Sequence, residues 1–301
     1  MKLSLRTTSV RNYCPKSFKR NVCADVIAGL LVVLPSPAQV RSGSLVVIIV
    51  SEHADYVVIG AESRRRDPSR NVVDDRGCKV ISLGGDTLFY ETGAAEIGVR
   101  RGKPWSSEGT ARTVYVSSQK RDALNLSSAW GTRALRWFYP QPVQDLRAIA
   151  YGPNGSLANG GFINFDENGS LSVHSVEISY DAAKRTLTAQ PSSQAPGQIG
   201  IAGVARDLVI EFFDGETDRA IKAFGPVGMV RLIAVDAMDD VSLVRKAIRF
   251  AMDNGSAQER LALGGDIDIA IIRRDQTIQW ITRKSWCSQQ DQRATPPLKH
   301  K

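Results

Sequence analysis

Six consecutive apolar residues, Leu45 to Val50, constrain the fold of this chain more than any other feature. Most of them are β-branched, and an apolar run of this length predicts a buried strand. Residues 51–55 predict a turn and residues 56–61 a second strand, so the two strands should form a hairpin. A second strand pair is expected at residues 78–83 and 87–90, joined by a glycine-rich turn.

The remainder of the chain alternates helical and extended patterns. Helices are expected at residues 118–138, 204–213 and 241–252, the last with Asp240 as its N-cap. Strands are expected at residues 174–180, 185–189, 266–272 and 277–281. Residues 217–237 fit neither pattern. Strands at both ends of the chain and helices in its middle predict an α+β fold with antiparallel pairing.

The net charge of +8 is concentrated at the N-terminus. Residues 1–43 carry +6 of it, and the apolar run Val26 to Leu34 follows the basic residues. This order, with small residues before a cut after Ala38, predicts a signal peptide at 1–38 and export to the periplasm or medium. The run is too short for a membrane anchor, and the remaining +2 gives little support to nucleic-acid binding. The alternative is an ordered N-terminal helix of a cytosolic protein.

Cysteine usage depends on that leader, because Cys14 and Cys23 would leave with it. Cys78 and Cys287 remain, either as one disulfide or as two unrelated thiols. Their spacing does not suit a zinc site, and the sequence lacks the Walker, dinucleotide, zincin and nucleophile-elbow motifs. No metal or cofactor is therefore expected. The polar stretch 64–77, which opens with three arginines, predicts a solvated loop.

Three segments together resemble the opening of proteasome β-type subunits, which are N-terminal-nucleophile (Ntn) hydrolases. They are Gly43–Val50, Tyr56–Arg64 and Cys78–Gly93. The resemblance returns near the C-terminus, at residues 241–252 and 264–275. It implies a four-layer αββα sandwich, in which helices flank two antiparallel sheets, spanning residues 44–285. Residues 39–43 would be a short propeptide and residues 286–301 a polar tail.

The resemblance also implies a site. Ser44, directly after Gly43, stands where the family has its nucleophilic threonine, and Glu62 and Lys79 stand at an acid and a lysine that pair. Gly93 stands at the glycine whose N–H helps to bind the oxyanion. A hydroxyl needs a base, and a free α-amine with a pKa of about 7.7–8.0 can serve. The nucleophile would have to free its own amine by attacking the Gly43 carbonyl.

Four departures keep other interpretations open. Serine replaces threonine and glutamate replaces aspartate. Arg260 and Leu263 stand where the family has an acid and a serine, and Ile201–Gly203 lacks a helper serine. We therefore expect a Ser44-dependent peptide or amide hydrolase, with two alternatives. One is an inactive sandwich used in binding or assembly, in which Glu62 and Lys79 are an ordinary ion pair. The other is an amidase for small molecules. The family forms rings, which leaves a homo-oligomer open, but the long variable middle gives no reason to assert a ring.

Overall fold

Two antiparallel sheets and seven helices make up the part of the chain that the computed structural model describes. The described residues are 39–43, 45–67, 72–84, 86–98, 104–150, 155–166, 168–224 and 237–294. The strands are β1 (Gln39–Gly43), β2 (Leu45–Val50), β3 (Tyr56–Glu62), β4 (Arg65–Asp67), β5 (Val72–Asp74), β6 (Val80–Gly84), β7 (Thr87–Gly98), β8 (Trp105–Ser106), β9 (Ser156–Phe165), β10 (Leu171–Asp181), β11 (Thr186–Ser193), β12 (Ile199–Gly203), β13 (Ile267–Arg273) and β14 (Ile278–Thr282). The helices are α1 (Ser107–Ser117), α2 (Ala123–Phe138), α3 (Val143–Ile149), α4 (Arg206–Phe224), α5 (Ala237–Asn254), α6 (Ala257–Ala262) and α7 (Ser285–Ala294). The predicted α+β class with antiparallel pairing is confirmed.

The larger sheet has nine strands in the order β11-β10-β9-β7-β1-β4-β5, with β6 and β8 also paired to β7. Strand β7 is 12 residues long and changes its partners along its length. Its first part, Thr87–Tyr90, lies between β6 and β9. Further along, Glu96 and Ile97 lie between β1 and β8. Strand β1 therefore occupies a slot between β7 and the short strand β4.

The smaller sheet has five strands in the order β12-β2-β3-β13-β14. The predicted hairpin is confirmed, since β2 and β3 pair directly and every residue of both strands is buried. A strand that is apolar at every position needs cover on both faces of its sheet. Successive side chains of β2 accordingly enter different apolar clusters.

Three apolar clusters hold the elements together. One combines residues of α1 and α2 with β7, β9 and β10, and Trp130 is its largest fully buried side chain. A second combines α4 and α5 with one face of the smaller sheet. The third contains residues from the other face of that sheet and from the larger sheet. Ile48 and Ile59 come from the smaller sheet, and Leu88 and Ile163 from the larger one. The first two clusters thus combine helices with one sheet each, and the third contains residues of both sheets.

The prediction of a solvated loop over residues 64–77 is wrong. The segment contains β4 and β5, which pair with each other, and β4 also pairs with β1. Arg65 is only 8% exposed and forms an ion pair with Glu91 of β7. A buried arginine is tolerated where a carboxylate accepts from it, and no local pattern marks that distant partner.

Two predictions near the C-terminal half need correction. Asp240 does not cap a helix, because α5 begins at Ala237 and Asp240 lies inside its first turn, where its carboxylate accepts from the Tyr56 hydroxyl at 2.8 Å. Residues 286–301 were expected as a polar tail, yet α7 extends to Ala294 and Cys287 is fully buried. Asp291 in that helix accepts from Arg283 at 2.7 Å, so α7 is tied to the fold.

Several predicted features lie outside the described residues. These are the leader at 1–38, Ser44 and most of the ambiguous stretch, residues 225–236. Within the described ranges, no helix is both long enough and apolar enough to span a membrane.

Cys78 and Cys287 form a disulfide that joins residues 209 positions apart. Reducing it should lower the free energy of unfolding by about 2–5 kcal/mol, because the crosslink restricts the unfolded chain. Urea unfolding with and without reductant measures this. In the Cys78→Ser/Cys287→Ser double variant, reductant should have no effect. Equal unfolding midpoints for oxidised and reduced wild type would contradict the prediction.

Candidate functional site

The carboxylate of Glu62, at the end of β3, is the centre of the candidate site. It is fully buried and accepts hydrogen bonds from three backbone amides. The Leu45 N–H donates to Oε1 at 3.2 Å. The N–H groups of Arg64 and Gly264 donate to Oε2 at 2.6 and 3.3 Å. One side chain therefore ties together the start of β2, the end of β3 and the loop before β13.

Lys79 is the counter-ion of that carboxylate. Its ammonium group donates to Oε1 of Glu62, and both side chains are inaccessible to solvent. The backbone of Lys79 is held as well, because its carbonyl accepts from the Glu91 N–H of β7 at 3.0 Å. The structure thus brings together the two residues, 17 positions apart, that the sequence predicted as a pair.

Burial lowers the pKa of Lys79 to about 8. That value includes the opposing effect of the Glu62 carboxylate and the smaller lowering effects of the positive charges of Arg65 and Lys284. At neutral pH the amine is mainly protonated, and at slightly alkaline pH it is mainly neutral. A group that titrates close to working pH can exchange a proton with a reacting group.

Ser44 itself lies outside the described residues, but the backbone on both sides of it is placed. Gly43, which precedes it, pairs with Gly93 of β7. Leu45, which follows it, donates to Glu62 and pairs with Gly203 of β12. Gly93 has φ of +76°, a conformation that glycine adopts without strain. Of the predicted residues, Glu62 accepts from the backbone after Ser44, and Gly93 pairs with the backbone before it. Lys79 is linked to that backbone through Glu62.

Arg260 and Leu263, which stand where the family has an acid and a serine, contribute backbone atoms. Arg260 is exposed and Leu263 is buried. Their carbonyls both accept from Nη1 of Arg64 at 3.0 Å. Neither side chain can supply a carboxylate or a hydroxyl. Ser63, next to Glu62, was not singled out from the sequence, yet its buried hydroxyl has no hydrogen-bond partner among the described residues.

A second buried charge network lies beside the first and was also missed. Lys284 forms an ion pair with Asp268 at 2.7 Å and donates to the Gly77 carbonyl at 3.3 Å. Arg283 pairs with Asp268 and with Asp291 of α7. Burial lowers the pKa of Lys284. The sequence signal for this network is Asp268, the one acidic residue of β13, which lies between Ile267 and Ile269.

The disulfide adjoins both networks. Cys78 directly precedes Lys79, and Cys287 lies in α7, three residues after Lys284. Among the residues that the structure describes, no group of three or more His, Cys, Asp or Glu side chains could hold a metal ion. The described groups at this site are a buried amine, a carboxylate and backbone amides.

No protein-family model matches the sequence, and no curated protein matches it. Among solved structures, the chain is similar to the Anbu (Gly-1) mutant from Hyphomicrobium sp. strain MC1. The two are 10% identical with a TM-score of 0.44, and the match covers 83% of this chain and 93% of that one.

Replacing Lys79 by Met should lower the free energy of unfolding by about 3–5 kcal/mol, because Glu62 would stay buried without its counter-ion. Urea unfolding measures the change. The Glu62→Gln/Lys79→Met variant should be more stable than Lys79→Met alone, since it buries no unpaired charge. Lys184→Met is the matched control, because the 79%-exposed Lys184 side chain pairs with Asp181 at the surface. If Lys79→Met unfolds at the same urea concentration as Lys184→Met, the prediction is wrong.

Proposed function

We propose that this protein is an exported Ntn hydrolase that cleaves peptides with Ser44 as an N-terminal nucleophile freed by autoprocessing. The observation that carries the proposal is the arrangement around residue 44. The preceding residue pairs with Gly93, and the following residue donates to the carboxylate that binds Lys79. A nucleophile, a titrating amine and a candidate oxyanion donor would then meet at one peptide bond.

The proposed fold is a four-layer αββα sandwich. Three apolar clusters support it: helices α1 and α2 against the larger sheet, the two sheets against each other, and helices α4 and α5 against the smaller sheet. Three interfaces in this order give four layers. The Ntn assignment adds the sequence resemblance over residues 43–93 to that order of layers.

The autoprocessing step is an intramolecular acyl transfer. The Ser44 hydroxyl oxygen attacks the Gly43 carbonyl carbon, and its proton passes to the neutral amine of Lys79. The Gly93 N–H stabilises the resulting oxyanion, a contribution worth about 3–4 kcal/mol for a well-placed donor. The bond from the carbonyl carbon to the Ser44 nitrogen then breaks, and that nitrogen takes a proton. Water hydrolyses the Gly43–Ser44 ester, which leaves a Gly43 carboxylate and a free Ser44 α-amine.

The mature site uses the same groups on a substrate. The Ser44 α-amine, with a typical pKa of about 7.7–8.0, takes the hydroxyl proton as the oxygen attacks a peptide carbonyl. Lys79 in its protonated form lowers the pKa values of the hydroxyl and the amine. Glu62 holds Lys79 in place. An acyl-enzyme forms, the amine product leaves, and water releases the acid product.

The place of β1 favours peptides over small amides as substrates. This strand lies between β7 and β4 and pairs with both. Once the bond after Gly43 is cut and residues 39–43 leave, two strand edges face an open slot. An extended peptide can pair with both edges by strand addition, whereas a small amide would leave their backbone groups without partners.

Export is supported by the disulfide. A crosslink between Cys78 and Cys287 persists in an oxidising compartment and is rare in the cytosol. The basic and apolar leader expected at residues 1–38 agrees with that location. A signal cut after Ala38 would leave residues 39–43, which form β1, as the propeptide.

The second candidate function is an inactive fold that serves in binding or assembly. It is favoured by Arg260 and Leu263, which contribute only backbone carbonyls where the family has an acid and a serine. In that case Glu62 and Lys79 are a structural ion pair. The two candidates differ in whether the bond between Gly43 and Ser44 is cut.

The N-terminal mass of the exported protein separates these candidates. Wild type should begin at Ser44, because the proposed acyl transfer cuts the bond after Gly43. Ser44→Ala and Lys79→Met should retain Gln39 as the first residue, and Ser44→Thr should be processed like wild type. Ser193→Ala, an exposed serine at the end of β11, is the matched control. A wild type found only with Gln39 at its N-terminus would exclude the α-amine mechanism.

The rate of autoprocessing should rise with pH through about 8, the pKa of Lys79. Below that pH the amine is protonated and cannot accept the Ser44 proton; above it the amine is neutral. Precursor refolded from urea at pH 6–10 and assayed by mass spectrometry gives the profile. Lys79→Arg, which stays charged at all these pH values, should show no processing.

The titration of Lys79 does not destabilise the folded chain as the pH rises over the range of this measurement. The pKa of Lys79 is about 8 in the folded chain and about 10.4 when unfolded. Between those values the unfolded chain binds more protons, so this residue's contribution to the free energy of unfolding rises with pH. A rate that falls above pH 8 would therefore point to a required ammonium, and would contradict the role of Lys79 as base.

A further inference from the structure

The register between β1 and β7 sets residue 41 directly opposite Glu96. Gly43 lies opposite Gly93 and Ser42 opposite Ala94, and the register then shifts between Arg41 and Ser42. Strand β7 has one more residue than β1 in this interval, as in a β-bulge. Counting back from the bond after Gly43, Arg41 is the third residue. A peptide that takes the place of β1 in the same register would set its own third residue before the cleaved bond opposite Glu96.

Glu96 lies among charged side chains that include Arg65 and Glu91. Its side chain is 46% exposed, and its carboxylate lies 3.8 Å from Nη1 of Arg65. Arg65, however, makes its closer contact with the buried Glu91, at 2.6 Å. Two carboxylates thus share one guanidinium group. Burial is the largest cause that raises the pKa of Glu91 to about 7; the charge of Arg65 acts against it, and the charges of Glu108 and Glu96 act with it.

We infer that Glu96 is a specificity-determining residue, which selects extended peptides with Arg or Lys at the third residue before the cleaved bond. Residues directly opposite in antiparallel strands approach to about 5 Å between Cβ atoms, and opposite charges there are favourable. The chain's own β1 carries Arg at this position. This inference rests on the proposed function, because it concerns the slot that β1 leaves.

A charge swap within the precursor tests the pairing. Arg41→Glu and Glu96→Arg should each slow autoprocessing by roughly two- to five-fold, from the range known for cross-strand charge pairs. The double variant should recover the wild-type rate, because it restores opposite charges in the same register. Glu52→Arg is the matched control, since Glu52 is an exposed glutamate in the turn between β2 and β3.

The double variant also separates pairing from a structural role. Glu96→Arg removes the contact with Arg65, and changing residue 41 cannot restore that contact. If Glu96 acts only through Arg65, the double variant will be as slow as, or slower than, Glu96→Arg alone. That outcome would overturn the inference while leaving the proposed function intact.

Peptides supplied to the mature enzyme complete the test. Two substrates that differ only in Arg or Glu at the third residue before the cleaved bond should differ at least two-fold in kcat/KM for wild type, with Arg preferred. Glu96→Arg should reverse the preference, and Glu52→Arg should keep it. Equal values in all three enzymes would overturn the inference alone. A wild type that neither processes itself nor cleaves either peptide would overturn both the inference and the proposed function.

Discussion

The buried ion pair of Glu62 and Lys79 is the interaction on which the rest of the site depends. Two charges that leave water lose several kcal/mol of solvation each, and their attraction compensates only where further hydrogen bonds satisfy them. Here the carboxylate also accepts from the amides of Leu45, Arg64 and Gly264. Together with Lys79, these described donors come from four separate segments. The pair therefore fixes where β2 begins, where β3 ends and where the loop before β13 passes.

The sheets explain why this pair can form at all. Glu62 is the last residue of β3 and lies opposite Ile267 at the start of β13. It is therefore at one end of the smaller sheet. Lys79 directly precedes β6 of the larger sheet, and its carbonyl accepts from Glu91 of β7. The shared apolar cluster between the sheets brings these two ends together. Lys284 and the disulfide then enclose the segment around Lys79 from the side of α7.

Sequence patterns predicted those parts of the fold whose cause is local. The hairpin of β2 and β3 follows from uninterrupted apolar runs, whereas Glu62 and Lys79 were predicted only through the resemblance to proteasome β-type subunits. The pairing of Arg65 with Glu91 and of Lys284 with Asp268 was missed, because each joins residues that only the fold brings together. These partners decide which charges can be buried.

Strand β9 shows how a local pattern can mislead. Its segment is rich in Gly and Asn, a composition typical of loops, and no strand was predicted there. In the structure β9 is a central strand between β7 and β10. A Cβ atom at Gly160 would lie 2.6 Å from the Trp130 ring, and one at Gly161 would lie 2.2 Å from the Tyr90 ring. The glycines leave room for large aromatic rings, so the cause lies in packing from distant elements.

In the proposed mechanism, the slot between β7 and β4 holds first the chain's own β1 and later a substrate. The covalent link between β1 and Ser44 decides which of the two occupies it. While residues 39–43 are joined to Ser44, β1 pairs with β7 and β4 as an intramolecular strand, with an effective concentration of about millimolar or more. Cutting the bond after Gly43 removes that tether. A free five-residue peptide gains its full translational entropy, while each backbone hydrogen bond contributes a net of only about 0.5–1.5 kcal/mol. Cleavage thus converts a strand that aligns the Gly43 carbonyl into a ligand that can dissociate. Substrates must then supply, through contacts such as that with Glu96, the affinity that the covalent link gave to β1.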